Sequence, residues 1–363
     1  MPKNLEPSIP EHLRVKRTRP LNAADDFVPT HPNYSARFDP RVKTLPMAYF
    51  GVQYKKEGDV AAIKAIENLK TGFTSENGPS FWDLADYADE AGYLNSIIVG
   101  YWDSRDKFNK WEKGLPSDWW HSGAKLEGEL GFFREVYTPG IVDTETTFSH
   151  QHPEGYSKIA DHMSGDTDTH EYWGSARDRI PRAQTDALAP QGYPQADLGK
   201  DGQTLGCYIT VEPQENMCLL RSGQDWSETK EEEREFYLKK VKPALDQGMK
   251  EIRDIGNSFG CFFNRYMDLH SDDGPTEKSY SLSAWHALSD LEVWVKTKTH
   301  LAIFNAGIKH YEKAGADAKL HLYHEMSVVR AKDQSFAYFN CHAKTGLLNA
   351  ISYRGSKLKK SKL

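Results

Sequence analysis

Tyr280-Ser281-Leu282-Ser283-Ala284-Trp285, a charged segment to Trp294, and then Leu322-Tyr323-His324-Glu325-Met326 restate a pattern found earlier in the chain. The earlier version is Ile97-Ile98-Val99-Gly100-Tyr101-Trp102, a charged segment to Trp111, and Phe132-Phe133-Arg134-Glu135-Val136. Both tryptophan pairs are nine residues apart, and Phe108 and Leu291 each follow the first tryptophan by six, the spacing of a strand that runs into a short helix. The two copies read as an internal duplication. The second carries His324 where the first carries Arg134, and residues needed for chemistry rather than packing are expected in one half only.

Working outward, a strand over Met47 to Tyr54 precedes a helix with Val60, Ile63, Ile66, Leu69 and Phe73 at helical spacing, and Asn77-Gly78-Pro79 ends that unit. Strands over Phe81 to Tyr87 and Tyr93 to Trp102, a helix over Ser104 to Trp111 and a strand over Gly131 to Thr138 complete a βαββαβ order. The later half repeats it. A strand over Asn216 to Ser222 leads to a long helix after Ser227, which Pro243 should kink and Gly256 should cap. Strands near Cys261 to Met267 and Tyr280 to Trp285 follow, then a helix opened by the capping box Ser289-x-x-Glu292, then a strand over Leu320 to Val329. The class is α+β, with two units packed sheet to sheet and helices outside. The organisation expected is a Pro-rich extended arm (1–44), a first half (45–149), a long irregular connection (150–214), a second half (215–353) and a basic tail (354–363).

The 363 residues carry 46 basic and 52 acidic side chains, intermixed, for a net charge of -6, which argues against a nucleic-acid surface. No apolar run approaches the roughly 20 residues of a membrane helix, and the charged start has no signal-peptide core, so a soluble, non-secreted protein without membrane partners is expected. Cys207, Cys218, Cys261 and Cys341 are widely spaced, with neither a zinc pattern nor the Cys-x-x-Cys-His of covalent haem attachment, and are expected reduced and buried. The 9 Trp, 18 Tyr and 16 Phe suit broad packed surfaces or an apolar pocket.

His300, beside Leu301 and Ile303, reads by itself as a packed or capping histidine. His324 alternates with Leu320, Leu322, Met326 and Val328, which puts it on an apolar strand face, where a hydrogen-bonded core histidine is the ordinary reading. Ser222 closes a strand outside any Gly-x-Ser-x-Gly pattern, so an acylated serine is unsupported. Arg177-Asp178-Arg179 in the connection reads as an anion-fixing group or a surface ion-pair cluster.

Several ordered blocks resemble the aldoxime dehydratases, haem-containing lyases that convert aldoximes to nitriles. They are Tyr49-Phe50-Gly51-Val52-Gln53-Tyr54, Val99-Gly100-Tyr101-Trp102, Gly131-Phe132-Phe133-Arg134-Glu135, Tyr172-Trp173-Gly174-Ser175 with Arg177 and Arg179, Arg221-Ser222-Gly223-Gln224-Asp225-Trp226, Thr299-His300-Leu301, and Leu322-Tyr323-His324-Glu325 followed by Asn340-Cys341-His342. The resemblance implies a dimeric α/β barrel of two ferredoxin-like βαββαβ halves and non-covalent haem b, ferrous in the active form. It puts the axial iron ligand on His300, the distal acid-base histidine on His324, a substrate-binding serine on Ser222, a distal arginine on Arg179 and a supporting glutamate on Glu145. Lys298 stands where the family commonly has proline, and residues 187 to 213 match poorly.

The mechanism so implied binds the oxime nitrogen to ferrous haem, holds the oxime oxygen through Ser222, and passes protons through His324. A haem oxidoreductase of peroxidase or chlorite dismutase type and a haem-binding sensor or carrier are the alternatives. A homodimer follows from the resemblance alone. Ser361-Lys362-Leu363 matches the peroxisomal address in a eukaryote; in a bacterium the expectation is a cytoplasmic enzyme.

Overall fold

The computed structural model describes residues 4–120, 123–198, 202–271 and 274–351; the basic tail lies outside them. The first half supplies strands β1 (Met47–Tyr54), β2 (Phe81–Ala88), β3 (Leu94–Tyr101) and β4 (Gly131–Tyr137), with helices α1 (Val60–Phe73) and α2 (Arg105–Gly114). Strands β5 (Thr144–Phe148) and β6 (Tyr208–Val211) bracket the connection. The second half supplies β7 (Met217–Asp225), α3 (Lys242–Ile255), β8 (Cys261–Ser271), β9 (Gly274–Trp285), α4 (Leu288–Trp294), α5 (Lys298–Ala314) and β10 (His321–Val329), and β11 (Gln334–Phe339) follows. All join one antiparallel 11-stranded sheet in the order β5-β10-β7-β9-β8-β2-β3-β1-β4-β11-β6. The halves meet side by side, where Leu269 of β8 pairs with Ala85 of β2.

That sheet curls. In a flat sheet with strands about 4.8 Å apart, β8 and β4 would be roughly 19 Å from each other. Arg265 of β8 nevertheless makes a bidentate bridge to Glu135 of β4, at 2.6 and 2.7 Å, and both side chains are fully enclosed. Arg221 of β7 likewise reaches Asp83 of β2 at 3.1 Å and the Tyr101 hydroxyl of β3. The concave face holds one apolar core drawn from both halves, including Tyr49, Val99, Phe133, Leu219, Leu282 and Tyr338. The convex face of the first half carries α1 and α2 around Phe50, Trp102 and Trp111, and that of the second carries α3 and α4 around Met249, Trp285 and Trp294. The ladder ends at β5 and β6, so among the described residues the sheet of the expected α/β barrel is an open, curled half-barrel. The arm covers the β5 edge: Tyr34 pairs with Phe148, and the Ala36 amide donates to the Thr146 hydroxyl at 2.8 Å.

Local expectations fail in informative ways. The kink at Pro243 is a π-helical turn over Tyr237–Val241, which absorbs the proline's missing N–H just before α3 begins. Gly256 does stand at the C-cap of α3, its N–H donating to the Ile252 carbonyl, but in a right-handed conformation; the left-handed residue is Gly260, at φ 87°, just before β8. Ser289 does not cap. The helix starts at Leu288 behind Ala287, and Glu292 is drawn instead to Arg177 at 2.8 Å. Val60 and Ile63 of α1 are exposed, because that stripe reaches the core only from Ile66, partly buried, through Leu69 and Phe73. Strands β5, β6 and β11 lie outside the expected βαββαβ elements.

Removing one partner of a buried ion pair strands a charge in a medium that cannot solvate it. Arg265→Met should therefore cost about 3 to 5 kcal/mol in chemical denaturation, and Arg265→Met with Glu135→Leu should recover most of it. Equal stability of the two variants would remove the bridge from the forces that curl the sheet. A second buried carboxyl titrates. Glu325 accepts from Ser157 N at 2.9 Å, Ser157 Oγ at 2.8 Å and Tyr156 N at 3.1 Å, yet burial outweighs these bonds and the nearby Arg221 and lifts its pKa to about 7. The folded protein then holds this proton where the unfolded chain has released it, so its contribution is full below about pH 4.5 and is lost as pH rises to 7. The stability difference between Glu325→Gln and the native chain should widen in the variant's favour across that window, and a constant difference would refute the assignment.

Candidate functional site

On β7 and β10 the side chains alternate between the concave core and the convex, helix-covered face. Leu219 and Arg221 point inward, while Cys218 and Leu220 pack with Leu245, Met249 and Met326 on the helix side. The same alternation puts Ser222 and His324 on the helix side, and they are direct cross-strand partners. Thr147 of β5 is the next partner in that row. Gly223, beside Ser222, has no room for a side chain: a Cβ there would lie 2.2 Å from Cζ of Tyr323.

The row of Ser222, His324 and Thr147 lies between two apolar groups, one around Met326 and Val328 and one around Leu320 and Trp226. Across from it runs α5. Thr297 caps that helix by accepting from His300 N at 3.4 Å, and the His300 ring meets Trp294 edge-on with centroids 4.8 Å apart. The far end of α5 is pinned to the sheet by the Tyr311 hydroxyl, which donates to the Leu320 carbonyl at 2.7 Å. Only His310 of this 17-residue helix is buried, and Phe304 and Ile308 are exposed although apolar. Above Gly307 the nearest atom a Cβ would meet is Leu322 Cδ1, at 4.0 Å. The helix therefore stands off an apolar strand face and leaves a slot with a histidine on each wall.

Electrostatics make both imidazoles neutral donors. Burial pushes His300 down to about 4 against the opposing Val295 backbone, and its buried Nδ1 has no hydrogen-bond partner of ordinary geometry. His324 is also pushed down to about 4, by burial first and then by Arg179 and His300. His324 is deep but open: chain surrounds it, yet its ring stays accessible and makes no hydrogen bond among the described residues. The hydrogen-bonded core histidine read from sequence is not what the fold contains. Ser222 Oγ is equally without a partner among the described residues.

Arg179 and Glu145 meet beside this row rather than on the surface. Glu145 is the cross-strand partner of Met326, two pairs along from His324 on the same face, and its Oε2 accepts from Arg179 Nε at 2.6 Å. Both are buried, and burial raises the Glu145 carboxyl against the pull of Arg179. Arg179 Nη1 also donates to the Thr169 carbonyl at 3.1 Å and to Ser175 Oγ at 3.2 Å, so the connection is fastened to β5. Arg177 is tied to Glu292, and Asp178 accepts from Asn22 and Tyr172, which accounts for the whole charged motif as internal bonds. The sequence reading missed Thr147, whose Oγ1 donates to Asn33 Oδ1 at 2.6 Å. Its signal was the alternation of Glu145 and Thr147, visible only once β5 has a register.

The five residues singled out from the sequence thus lie near one another: Ser222 pairs with His324, Glu145 holds Arg179 at the strand position two residues along, and His300 and Arg179 are both close enough to depress the His324 pKa. A flat, apolar cofactor that takes an imidazole would suit the apolar surroundings, the His300 ring with its buried Nδ1 unbonded, and the open polar pair opposite. Residues 48–347 match the family model of haem-containing dehydratases. The aliphatic aldoxime dehydratase of Pseudomonas sp is 37% identical over 95% of this chain and 98% of its own length. The phenylacetaldoxime dehydratase of Bacillus sp. (strain OxB-1) is 30% identical over 90% of this chain and 93% of its own. A crystal structure of aldoxime dehydratase superposes with a TM-score of 0.90 at 36% identity, covering 96% of this chain and 99% of that one. A second, an aldoxime dehydratase in complex with butyraldoxime, gives 0.90 at 36% identity over 96% of this chain and 97% of that one. The chain belongs to the haem-containing dehydratases and, within them, to the aldoxime dehydratase lyases.

Proposed function

We propose that the protein dehydrates aldoximes to nitriles with haem b held by His300, and that Ser222 and His324 handle the oxygen and the protons of the substrate. The observation that carries this reading is the Ser222–His324 pair, in register, without other hydrogen-bond partners among the described residues, and facing the helix that presents His300. When bound, haem supplies a ferrous centre for the oxime nitrogen that feeds electron density into the N–O bond. Ser222 Oγ donates to the oxime oxygen and holds it beside His324 Nδ1 or Nε2. The imidazolium of His324 gives its proton to the departing hydroxyl, which leaves as water, and the resulting imidazole takes the proton from the oxime carbon as the triple bond forms. Atoms balance: the aldoxime yields nitrile and water, and His324 ends as it began. The depressed pKa makes this imidazolium a stronger acid toward hydroxide while lowering the share of protein that carries it. Arg179, held by Glu145, orients the ring and sets its charge.

The matching strand order of the two halves, second-third-first-fourth in each, supports two ferredoxin-like units related by duplication. Their registers agree as well: Phe50 pairs with Arg134 as Ser222 pairs with His324, and Gly51 with Phe133 as Gly223 with Tyr323. The homodimer is carried over from the family and is read by light scattering. No helix among the described residues is long and apolar enough to cross a membrane. The bacterial relatives support a cytoplasmic enzyme and lend none to a peroxisomal reading of Ser361-Lys362-Leu363.

Incubation with an aldoxime under reducing conditions should yield nitrile. Oxidation of a reporter by peroxide without nitrile would favour the oxidoreductase, and haem binding without turnover a sensor or carrier. His300→Ala should lose most haem while the chain still folds. Ser222→Ala and His324→Ala should keep haem and lose nitrile formation by roughly a hundred- to ten-thousandfold, with Arg179→Ala impaired through positioning. Near-native turnover by His324→Ala at matched haem occupancy would overturn the proton route.

A further inference from the structure

Three residues past Ser222 on β7 and three before His324 on β10 stand Asp225 and His321, themselves cross-strand partners. His152, from the segment after β5, closes a group in which one donor atom from each residue lies within 4.8 Å of the other two. His321 is only 9% exposed, and its Nδ1 is buried without a hydrogen bond. His152 Nε2 is likewise buried, 3.4 Å from Glu154 Oε1 and 3.7 Å from Asp225 Oδ2. Two buried imidazole nitrogens beside a carboxylate, one unbonded and the other held only by a poorly aligned 3.4 Å contact to Glu154, are costly unless something else takes them.

The carboxylate is already oriented. Asp225 Oδ1 accepts from Ser227 N at 3.0 Å and Ser227 Oγ at 2.6 Å, the kind of outer support that fixes a ligand's direction. Its Oδ2 accepts from Lys278 at 2.9 Å, and that ammonium also serves Glu154 at 2.7 Å, so one Oδ2 lone pair remains. The His150 ring lies tilted against that of His321, centroids 4.5 Å apart, but spends both nitrogens, on Ser149 Oγ and the Ala318 carbonyl, which excludes it as a donor. His321 and Asp225 sit on paired strands, whereas His152 comes from the segment after β5, its side chain 35% exposed and its ring 4.7 Å from that of His321. A small rotation would bring the three donors toward the separation of about 3.3 Å that four-coordinate zinc with bonds near 2.0 to 2.1 Å requires.

We propose that His152, Asp225 and His321 bind one divalent cation of the zinc class, with water as fourth ligand, and so clamp the segment after β5 onto the ends of β7 and β10. Two imidazoles and a carboxylate are the donors such an ion takes in preference to calcium or magnesium. The site is separate from the slot under α5 and does not depend on haem. Its position gives it a consequence, since the two strands it ties are those that carry Ser222 and His324.

The test uses the full haem-loaded chain, stripped with a chelator and dialysed against zinc. One equivalent per chain should be retained, and the melting temperature should rise with zinc concentration as it does for any ligand of the folded state. His152→Ala, at an accessible position, should keep its haem spectrum, lose the thermal shift and bind zinc at least about tenfold more weakly. Asp225→Asn should do the same. His270→Ala, on β8 and paired with Asp86, should retain the equivalent. No retained zinc in the native chain, or equal retention by His152→Ala and by Asp225→Asn, would overturn the proposal.

Discussion

Two guanidinium groups enclosed by the sheet hold its curvature. Arg265 lies between the Phe133 and Phe263 rings, at 4.7 and 4.4 Å, and grips Glu135, which also accepts from the Tyr338 hydroxyl at 2.7 Å. Arg221 lies 3.8 Å over the Tyr280 ring and joins Asp83, Tyr101 and Tyr323. Each connects the second half to strands of the first that a flat sheet would keep far away. The aromatic rings supply polarizable surface in place of water, and the paired carboxylates supply the charge, which is what lets an arginine be buried at all. Specificity rather than raw stability is the natural gain, because an apolar core alone would allow the two halves to slide against each other.

The period of two along a strand carries that constraint to the slot. Arg221 precedes Ser222 and Glu325 follows His324, so the residues anchored inside the curl are the immediate neighbours of those that face α5. The Tyr323 ring lying across Gly223 fixes the pair from the same interior side. A shift of one residue in the β7–β10 register would turn Ser222 and His324 inward and expose a buried arginine and carboxyl, which makes the register expensive to change. The polar pair is thus placed by groups on the opposite face of the sheet.

The repeated Trp-to-Trp spacing made the two βαββαβ orders legible, since strand and helix periods are local properties of the chain. Curvature was not legible, because Arg221 to Asp83 and Arg265 to Glu135 are contacts between residues 138 and 130 positions apart, with no local signature. Strand β5 reads as Thr144-Glu145-Thr146-Thr147-Phe148, too polar to stand out, and it becomes a strand because β10 on one side and the arm on the other satisfy its backbone. For the site, alternation with Leu322 and Met326 gave the face of His324, but neither its openness nor the convergence of Arg179 with Glu145 follows from spacing. The resemblance alone put Arg179 and Glu145 at one site, and the fold joins the two by a hydrogen bond of 2.6 Å. The capping box at Ser289 misled because Glu292 finds a better partner in Arg177, a tertiary bond overriding a local one.

Comparing equivalent places in the two halves explains why only one has a slot. In the first, Phe50 stands where Ser222 stands in the second, and its ring is ringed edge-on by Phe73, Trp111, Trp119 and Trp120 at 5.1 to 6.0 Å. Arg134, in the place of His324, lies over Phe50 and reaches out to Glu112 and Ser335. Trp119 and Trp120 come from the segment just after α2, and fill the space between helix layer and sheet. After α4 the chain instead forms α5, which carries His300 and Phe304 and stands off the strands. Replacing a phenylalanine by a serine, an arginine by a histidine and two tryptophans by a raised helix removes packed volume from one face of one half. Interiors do not tolerate such a loss unless something occupies it, since an unfilled apolar gap forfeits both contacts and transfer energy. The half without this aromatic filling is the one whose strand face carries the Ser222–His324 pair, the residues to which the proposed chemistry is assigned.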